Sequence, residues 1–288
     1  MNPLVIYHGN CADGFGAAWA VWKAHPDWEF YAGVHQNPPP DVSGRAVFMV
    51  DFSYKRAVIE TMLESAECIS IIDHHETAMA DLADFAHPKL AVTFDMERSG
   101  AGMAWDIFHG VERPRLINHI EDRDLWRFAL EGTREIQAAL FSYPYDFTVW
   151  DTLVAACEQD PDRLICEGMA IERKHHKDIA ELVGVVTRPM KFRYPPNDGP
   201  APADLGYAVV PMANLPYTLT SDAGHLLCGD EYPFAGCYWD TPDGRVFSLR
   251  SRDDGANVGA IAKQYGGGGH AHASGFRIPF DQLAQFEA

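Results

Sequence analysis

Five short runs of apolar, largely β-branched or aromatic residues punctuate the first hundred positions: LVIY (4–7), WEFYAG (28–33), AVFMVDFS (46–53), CISIID (68–73) and LAVTFD (90–95). Between them lie stretches of helical spacing, among them FGAAWAVWKA (15–24) and YKRAVIETMLESA (54–66). A strand that is apolar along its whole length is covered on both faces, and intervening helices return the chain so that successive strands run parallel. The pattern predicts a doubly wound α/β sheet.

The remainder reads differently. From about 133 to 185 the spacing is helical, including PDRLICEGMAIERKHHKDIAELVGVV (161–186), and YPPNDGPAPADLG (194–206) reads as an exposed loop. Strand-like YAVVPMA (207–213), FAGCYWD (234–240) and RVFSLRS (245–251) follow, then a helix NVGAIAKQY (257–265), the run GGGGH, and a last strand and helix. The expected organisation is an α/β parallel-sheet domain over 1–132, a helical connector and loop over 133–200, and a smaller α/β domain over 201–288.

Composition narrows the function. At 47% hydrophobic and 22% charged the chain is of soluble globular type, with no apolar run near the roughly 20 residues that span a bilayer. The start, MNPLVIYHGN, has no basic segment of the kind that opens a signal peptide. Six cysteines (11, 68, 157, 166, 228 and 237) form no CxxC pair, which argues against a zinc ribbon or a disulfide framework. A cytoplasmic protein with reduced thiols and no membrane association is expected. The net charge of −18 opposes contact with long duplex nucleic acid, which relies on a basic stripe. It does not oppose a small anion held in a pocket that contains cations.

Polar residues of one chemical kind gather after the apolar runs. Ligands of a parallel sheet bind outside the carboxyl ends of its strands. His8 and Asp13 follow the first run, Asp51 ends the third, Asp73, His74 and His75 end the fourth in IIDHHETAM, and Asp122 and Asp124 lie in NHIEDRDLW. Carboxylate with imidazole suits divalent manganese, iron or zinc. A carboxylate such as Asp51 can bridge two cations, and two cations roughly 3.5–4 Å apart can activate water and stabilise the oxygens at phosphorus. Any one of these aspartates alone is better explained as a helix cap or turn former, and Asp73 reads as the residue that orients a neighbouring imidazole. His25, His35, His87, His109 and the pair His175–His176 stand outside the pattern.

The motifs HGNCADGFGAA (8–18), VFMVDFS (47–53), IIDHHETA (71–78), IEDRDLW (120–126), FSLRS (247–251) and YGGGGHAHASGF (265–276) occur in an order that resembles the DHH-family phosphoesterases with their DHH-associated C-terminal domain, the superfamily of oligoribonuclease and RecJ-like enzymes. The resemblance implies metal ligands at His8, Asp13, Asp51, His74 and one acid of EDRD, Asp122 being favoured and Asp124 the fallback. It implies a catalytic His75 facing the phosphate, with Asp73 beside it, and water as nucleophile. Many relatives carry Asp where this chain has Cys11.

At the far end, glycines without side chains let backbone N–H groups approach an anion, and four in a row have no evident structural purpose. Arg250 and Ser251, with Gly267, Gly268, Gly269 and His270, are the expected substrate-binding residues, in a local basic patch (Arg245, Arg250, Arg252, Lys263, Arg277) facing a cleft. The expected activity is a phosphodiesterase with two Mn2+ ions (Mg2+, Co2+ or Fe2+ as substitutes) that hydrolyses short oligonucleotides or linear dinucleotides to nucleoside 5′-monophosphates. A nucleoside 3′,5′-bisphosphate phosphatase, a cyclic-dinucleotide phosphodiesterase and a silent nucleotide-binding regulatory module are the alternatives. The expected partner is short nucleic acid or a dinucleotide; a homodimer is allowed.

Overall fold

The strand–helix alternation of the first hundred residues becomes, in a computed structural model that describes residues 2–193 and 206–288, a five-stranded sheet of order β2-β1-β3-β4-β5 with every pair parallel. Its strands are β1 (Leu4–His8), β2 (Glu29–Gly33), β3 (Ala46–Val50), β4 (Cys68–Asp73) and β5 (Leu90–Phe94), joined by α1 (Ala12–Ala24), α2 (Arg56–Ser65) and α3 (Glu76–Leu82). Then come α4 (Gly100–His109), α5 (Arg115–Asp124), α6 (Thr133–Leu140), α7 (Phe147–Gln159) and α8 (Pro161–Val186).

Alternate side chains of each strand enter different cores. Val5, Val50 and Ile72 pack with residues of α1, α4, α5, α6 and α7. Leu4, Ile6, Val47, Met49, Ile69 and Ile71 pack with Ile59, Met62 and Leu63 of α2. Both faces are covered, which is why these strands read as unbroken apolar runs.

The chain divides into two compact units, Met1–Arg173 and Lys174–Ala288, the boundary falling inside α8. The second unit contains β6 (Thr187–Arg193), β7 (Tyr207–Asn214), α9 (Thr220–Cys228), β8 (Ala235–Thr241), β9 (Gly244–Arg250), α10 (Val258–Gln264), β10 (Gly268–Gly269) and β11 (Ala273–Ile278). Its sheet runs β10-β11-β9-β8-β7-β6 and is mixed, β7 and β8 being parallel and the other neighbours antiparallel. Phe192, Phe234, Phe247, Phe276 and Phe286 fill its main core.

Three details correct the sequence reading. Strand β6 and helix α9 carry no period clear enough to announce them, and the closing helix is a 3-10 segment, Phe280–Phe286. The expected loop at 194–206 lies, up to 205, outside the described residues. The glycine run also has a structural purpose after all. Gly268 and Gly269 pair with Gly275 and Ser274, and a Cβ on Gly267 would sit 2.1 Å from the Gly275 carbonyl oxygen. Glycine lets two backbones approach where no side chain fits.

Candidate metal centre

The sheet order reverses between β1 and β3, since the chain leaves β1 to one side for β2 and returns to the other for β3. Such a reversal opens a crevice at the carboxyl ends of the strands, and the sequence delivers its acids and imidazoles there. His8 is the last residue of β1, Asp13 lies in the first turn of α1, Asp51 follows β3, and Asp73 ends β4 with His74 and His75 after it.

Three carboxylates converge on one imidazole nitrogen. His74 Nε2 lies 3.1 Å from Asp51 Oδ1, 3.5 Å from Asp13 Oδ2 and 3.5 Å from Asp124 Oδ2. His8 Nδ1 lies 3.6 Å from Asp51 Oδ2. Asp13, Asp51 and His74 are at most 2% exposed. Burial of so many ionisable groups is costly unless each is paired or coordinates a cation. Yet Asp51 Oδ1 and Oδ2, Asp124 Oδ2 and His8 Nδ1, all buried, receive or donate no aligned hydrogen bond.

The backbone is bent to make this arrangement. Asp51 has φ +53°, a left-handed conformation that costs a non-glycine residue energy and clusters at functional sites. It is held by Asp51 N–H donating to the Ile72 carbonyl at 3.0 Å. Gly100 makes room for it: a Cβ there would sit 2.3 Å from Asp51 Cβ. The same helix start grips the next ligand, Gly100 N and Ala101 N donating to Asp13 Oδ2 and Oδ1 at 2.6 and 2.9 Å. Unsatisfied N–H groups at a helix N-terminus favour a carboxylate.

The protonation balance shows what the cluster lacks. Burial pulls His74 down, but Asp51, Asp124 and Asp13 outweigh it and leave it well above 6.5. His8 rises likewise, burial being outweighed by the Asp51 and Cys11 side chains. Burial, then the Asp51 and Asp124 charges, push Asp13 well above the usual carboxylate range, and burial raises Asp124 too. Asp51 alone goes well below it, because the His74 and His8 rings beside it outweigh burial. The carboxylates thus hold protons on neighbouring groups, and divalent cations in their midst would replace those protons. Two ligand sets share Asp51: His8–Asp51–His75 and Asp13–Asp51–His74, the ligand atoms of each lying within 4.8 Å of one another. All-nitrogen-and-oxygen donors of this kind fit divalent manganese, iron or zinc.

Asp73 has a positioning role. Its Oδ1 accepts from the backbone N–H of His74 at 2.8 Å and of His75 at 3.3 Å, and lies 2.6 Å from His75 Nδ1. An ionised carboxylate only accepts, so Nδ1 is the protonated nitrogen in that contact. The ring of His75 is thereby fixed in orientation and tautomer.

Two assignments change. Asp122, the favoured acid of EDRD, is not in the cluster. Its carboxylate accepts from Ala129 N (2.8 Å), Leu130 N (3.0 Å) and Thr133 Oγ1 (2.6 Å) and clamps the following loop. Asp124 stands beside His74 instead. Both acids lie in the last turn of a helix, α5. A carboxylate at a helix C-terminus opposes the helix dipole, and that misfit marks both acids without choosing between them. His35 falls outside the sequence pattern, yet its ring centroid lies 5.0 Å from that of His8 and 6.2 Å from that of His75, stacked on Phe52 at 4.7 Å. It is exposed, on the rim. Ser99, whose side chain caps α4, and Gly100 have no motif to announce them.

In the second unit the expected substrate-binding residues meet at one end of β9, β11 and β10, Arg250 pairing with Ala273 and Gly269 with Ser274. Arg250 donates to Ser248 Oγ, the Leu249 carbonyl and Ser221 Oγ at 3.1, 2.8 and 2.9 Å. Ser251 Oγ lies 2.9 Å from His272 Nδ1, and His270 N donates to the Ala273 carbonyl at 2.8 Å. The basic patch is largely neutralised: Arg245 pairs with Asp240, Arg252 with Asp254 and Arg277 with Asp243.

No protein-family model matches the chain. It is 30% identical to uncharacterized protein R106 of Acanthamoeba polyphaga mimivirus, over 97% of this chain and 70% of that protein. Among solved structures it is similar to the DHH domain of a member of the s1p family of ribosomal proteins, at TM-score 0.57 and 12% identity, covering 100% of this chain and 88% of that one. RecJ from Thermus thermophilus, in complex with Mn2+, aligns at TM-score 0.48 and 11% identity over 98% of this chain and 50% of that one. With its DHH motif at the carboxyl end of β4 and that fold around it, the chain is a DHH-fold protein and belongs to one family with the mimivirus protein.

Proposed function

We propose that the protein is a metal-dependent phosphodiesterase that hydrolyses short oligonucleotides or linear dinucleotides to nucleoside 5′-monophosphates, with two Mn2+ ions at the crevice. The observation that carries this reading is the convergence of His8 and His74 on the two buried oxygens of Asp51, with Asp13 and Asp124 against the same His74 nitrogen. His8, Asp13, Asp51, His74 and Asp124 would hold the ions, which when bound supply an activated water and a clamp on the oxygens at phosphorus.

The protein's own groups do the rest. The α4 N-terminus orients the Asp13 carboxylate through two backbone N–H groups. Asp73 fixes the orientation of the His75 ring through Nδ1, and that ring is assigned to the substrate phosphate. A net charge of −18 disfavours long anionic chains and leaves short ones. Arg250, Ser251, His270 and the 267–269 glycines of the second unit remain assigned to substrate binding.

The test is product analysis with demetallated and manganese-loaded protein. The panel holds 5′-phosphorylated dinucleotides, 20-mers, a nucleoside 3′,5′-bisphosphate and a cyclic dinucleotide. Nucleoside 5′-monophosphates released fastest from the dinucleotide, only with metal, are expected. Inorganic phosphate released from the bisphosphate alone would replace this reading with a phosphatase.

A further inference from the structure

The loop after Asp124, residues 125–130 (LWRFAL), has features that metal binding leaves unexplained. Trp126 and Phe128 have φ +57° and +49°. Bulky side chains in the left-handed region are outliers, and they persist only where surrounding contacts over-determine them. Here they do. The Asp122 carbonyl accepts from Arg127 N at 2.8 Å and Phe128 N at 3.2 Å, while its carboxylate holds Ala129 and Leu130. Arg127 Nη2 donates to the Glu97 carbonyl at 2.8 Å.

The loop brings a series of flat surfaces together, its two aromatic rings half-buried. The Trp126 and Phe128 rings lie 4.9 Å apart at 79°. Arg134 Cζ is 3.7 Å from the Phe128 ring centroid and 5.9 Å from that of Trp126. Arg123 Cζ is 6.0 Å from Trp126 and 4.6 Å from Phe141. Phe141 is 43% exposed and the Arg134 side chain 40%. Neither Trp126 nor Phe128 belongs to the two apolar cores of this unit, and both rings are half-buried against the two arginines. The Trp126 Cα lies within about 7.6 Å of the Asp124 Cα, two peptide steps away.

Aromatic rings and guanidinium planes are the surfaces on which unpaired nucleobases stack, and arginine adds attraction for the accompanying phosphate. We propose that Trp126 and Phe128, with Arg123 and Arg134, form a stacking platform for the nucleobase adjoining the phosphate at the metal centre. This rests on the phosphodiesterase reading above for its substrate class. Stacking is tolerant of base identity, so the platform selects a base over no base and gives little preference among the four.

Binding separates the two readings. Tryptophan fluorescence of the full, Mg2+-loaded chain is titrated with adenosine 5′-monophosphate and with ribose 5-phosphate, in wild type and in Trp126→Phe, Trp126→Leu and Phe128→Leu. Adenosine monophosphate should quench wild-type emission, and most of that quench should be absent in Trp126→Phe, which keeps a ring and so keeps affinity by calorimetry. Trp126→Leu and Phe128→Leu should each weaken adenosine monophosphate about tenfold and leave ribose 5-phosphate unchanged. Equal weakening of both ligands, or none, would overturn the platform and reduce the loop to a support for Asp124. If adenosine monophosphate binds as described but no dinucleotide is cleaved with manganese, the platform stands and the phosphodiesterase reading falls.

Discussion

The two units treat their polar residues in opposite ways. In the second unit Arg245, Arg252 and Arg277 pair with Asp240, Asp254 and Asp243, Ser251 meets His272, and the glycines serve a tight pairing of β10 on β11. In the first, three carboxylates and two imidazoles are packed together, and four of their buried atoms make no hydrogen bond. Satisfied polar groups stabilise a fold; a buried cluster left short of partners marks where something else binds. Residue types alone do not separate these cases.

The sharpest way to break the comparison is Asp51→Asn, which removes charge from both ligand sets at once. Turnover and metal content by elemental analysis should fall beyond the roughly 10–100-fold typical of disturbing residues behind a ligand. Retention of two metals would mean that Asp51 bridges nothing.

Next come the two histidines. His74→Ala should lose metal, while His75→Ala should keep its metal and lower kcat roughly 10²-fold. Equal metal loss in both would place His75 among the ligands, as its grouping with His8 and Asp51 allows.

The EDRD acids divide function from stability. Asp124→Asn should reduce metal affinity and leave thermal unfolding of the metal-free protein unchanged or raised, since it relieves charge crowding. Asp122→Ala should cost about 2–4 kcal/mol by removing a charged acceptor from three donors. Were the outcomes exchanged, the favoured sequence assignment would return.

In the second unit, Arg250→Ala should raise KM for a dinucleotide about tenfold at unchanged metal content. Gly267→Ala should lower stability, whatever the substrate. A normal KM in Arg250→Ala would confine that arginine to its contacts with Ser221 and Ser248.

The smallest effect probes the ordinary polar network of the first unit. Arg113 and Arg98 hold the Asp106 carboxyl below its usual value of 3.8. Its folded value is therefore the lower one. The stabilisation, no more than about 1 kcal/mol, is complete above 3.8 and fades as pH falls through the folded value. The Tm gap between wild type and Asp106→Asn should close toward pH 3; a gap that persists would point to packing.

How much was legible follows from range. The inner strands β1, β3 and β4 announce themselves because burial on both faces leaves an unbroken apolar run, whereas the edge strands β2 and β5 are mostly exposed, and DHH stands out because nothing in a strand end needs two imidazoles. Strand β6 and helix α9 have half-polar faces and no such period. Asp122 and Asp124 are two residues apart on one helix turn, and local spacing cannot say which reaches His74. His35 comes from a loop after β2, and only the sheet order puts it next to His8.

By itself, then, the sequence determined the parallel sheet and the inventory of ligand types, because periodicity and residue chemistry are local properties. The tertiary structure alone decided which acid completes the cluster, what the glycines do, and that Trp126 and Phe128 take a left-handed backbone just after Asp124. Those depend on where the order of strands reverses and on which buried groups find a partner, and both are settled by residues far apart in the chain.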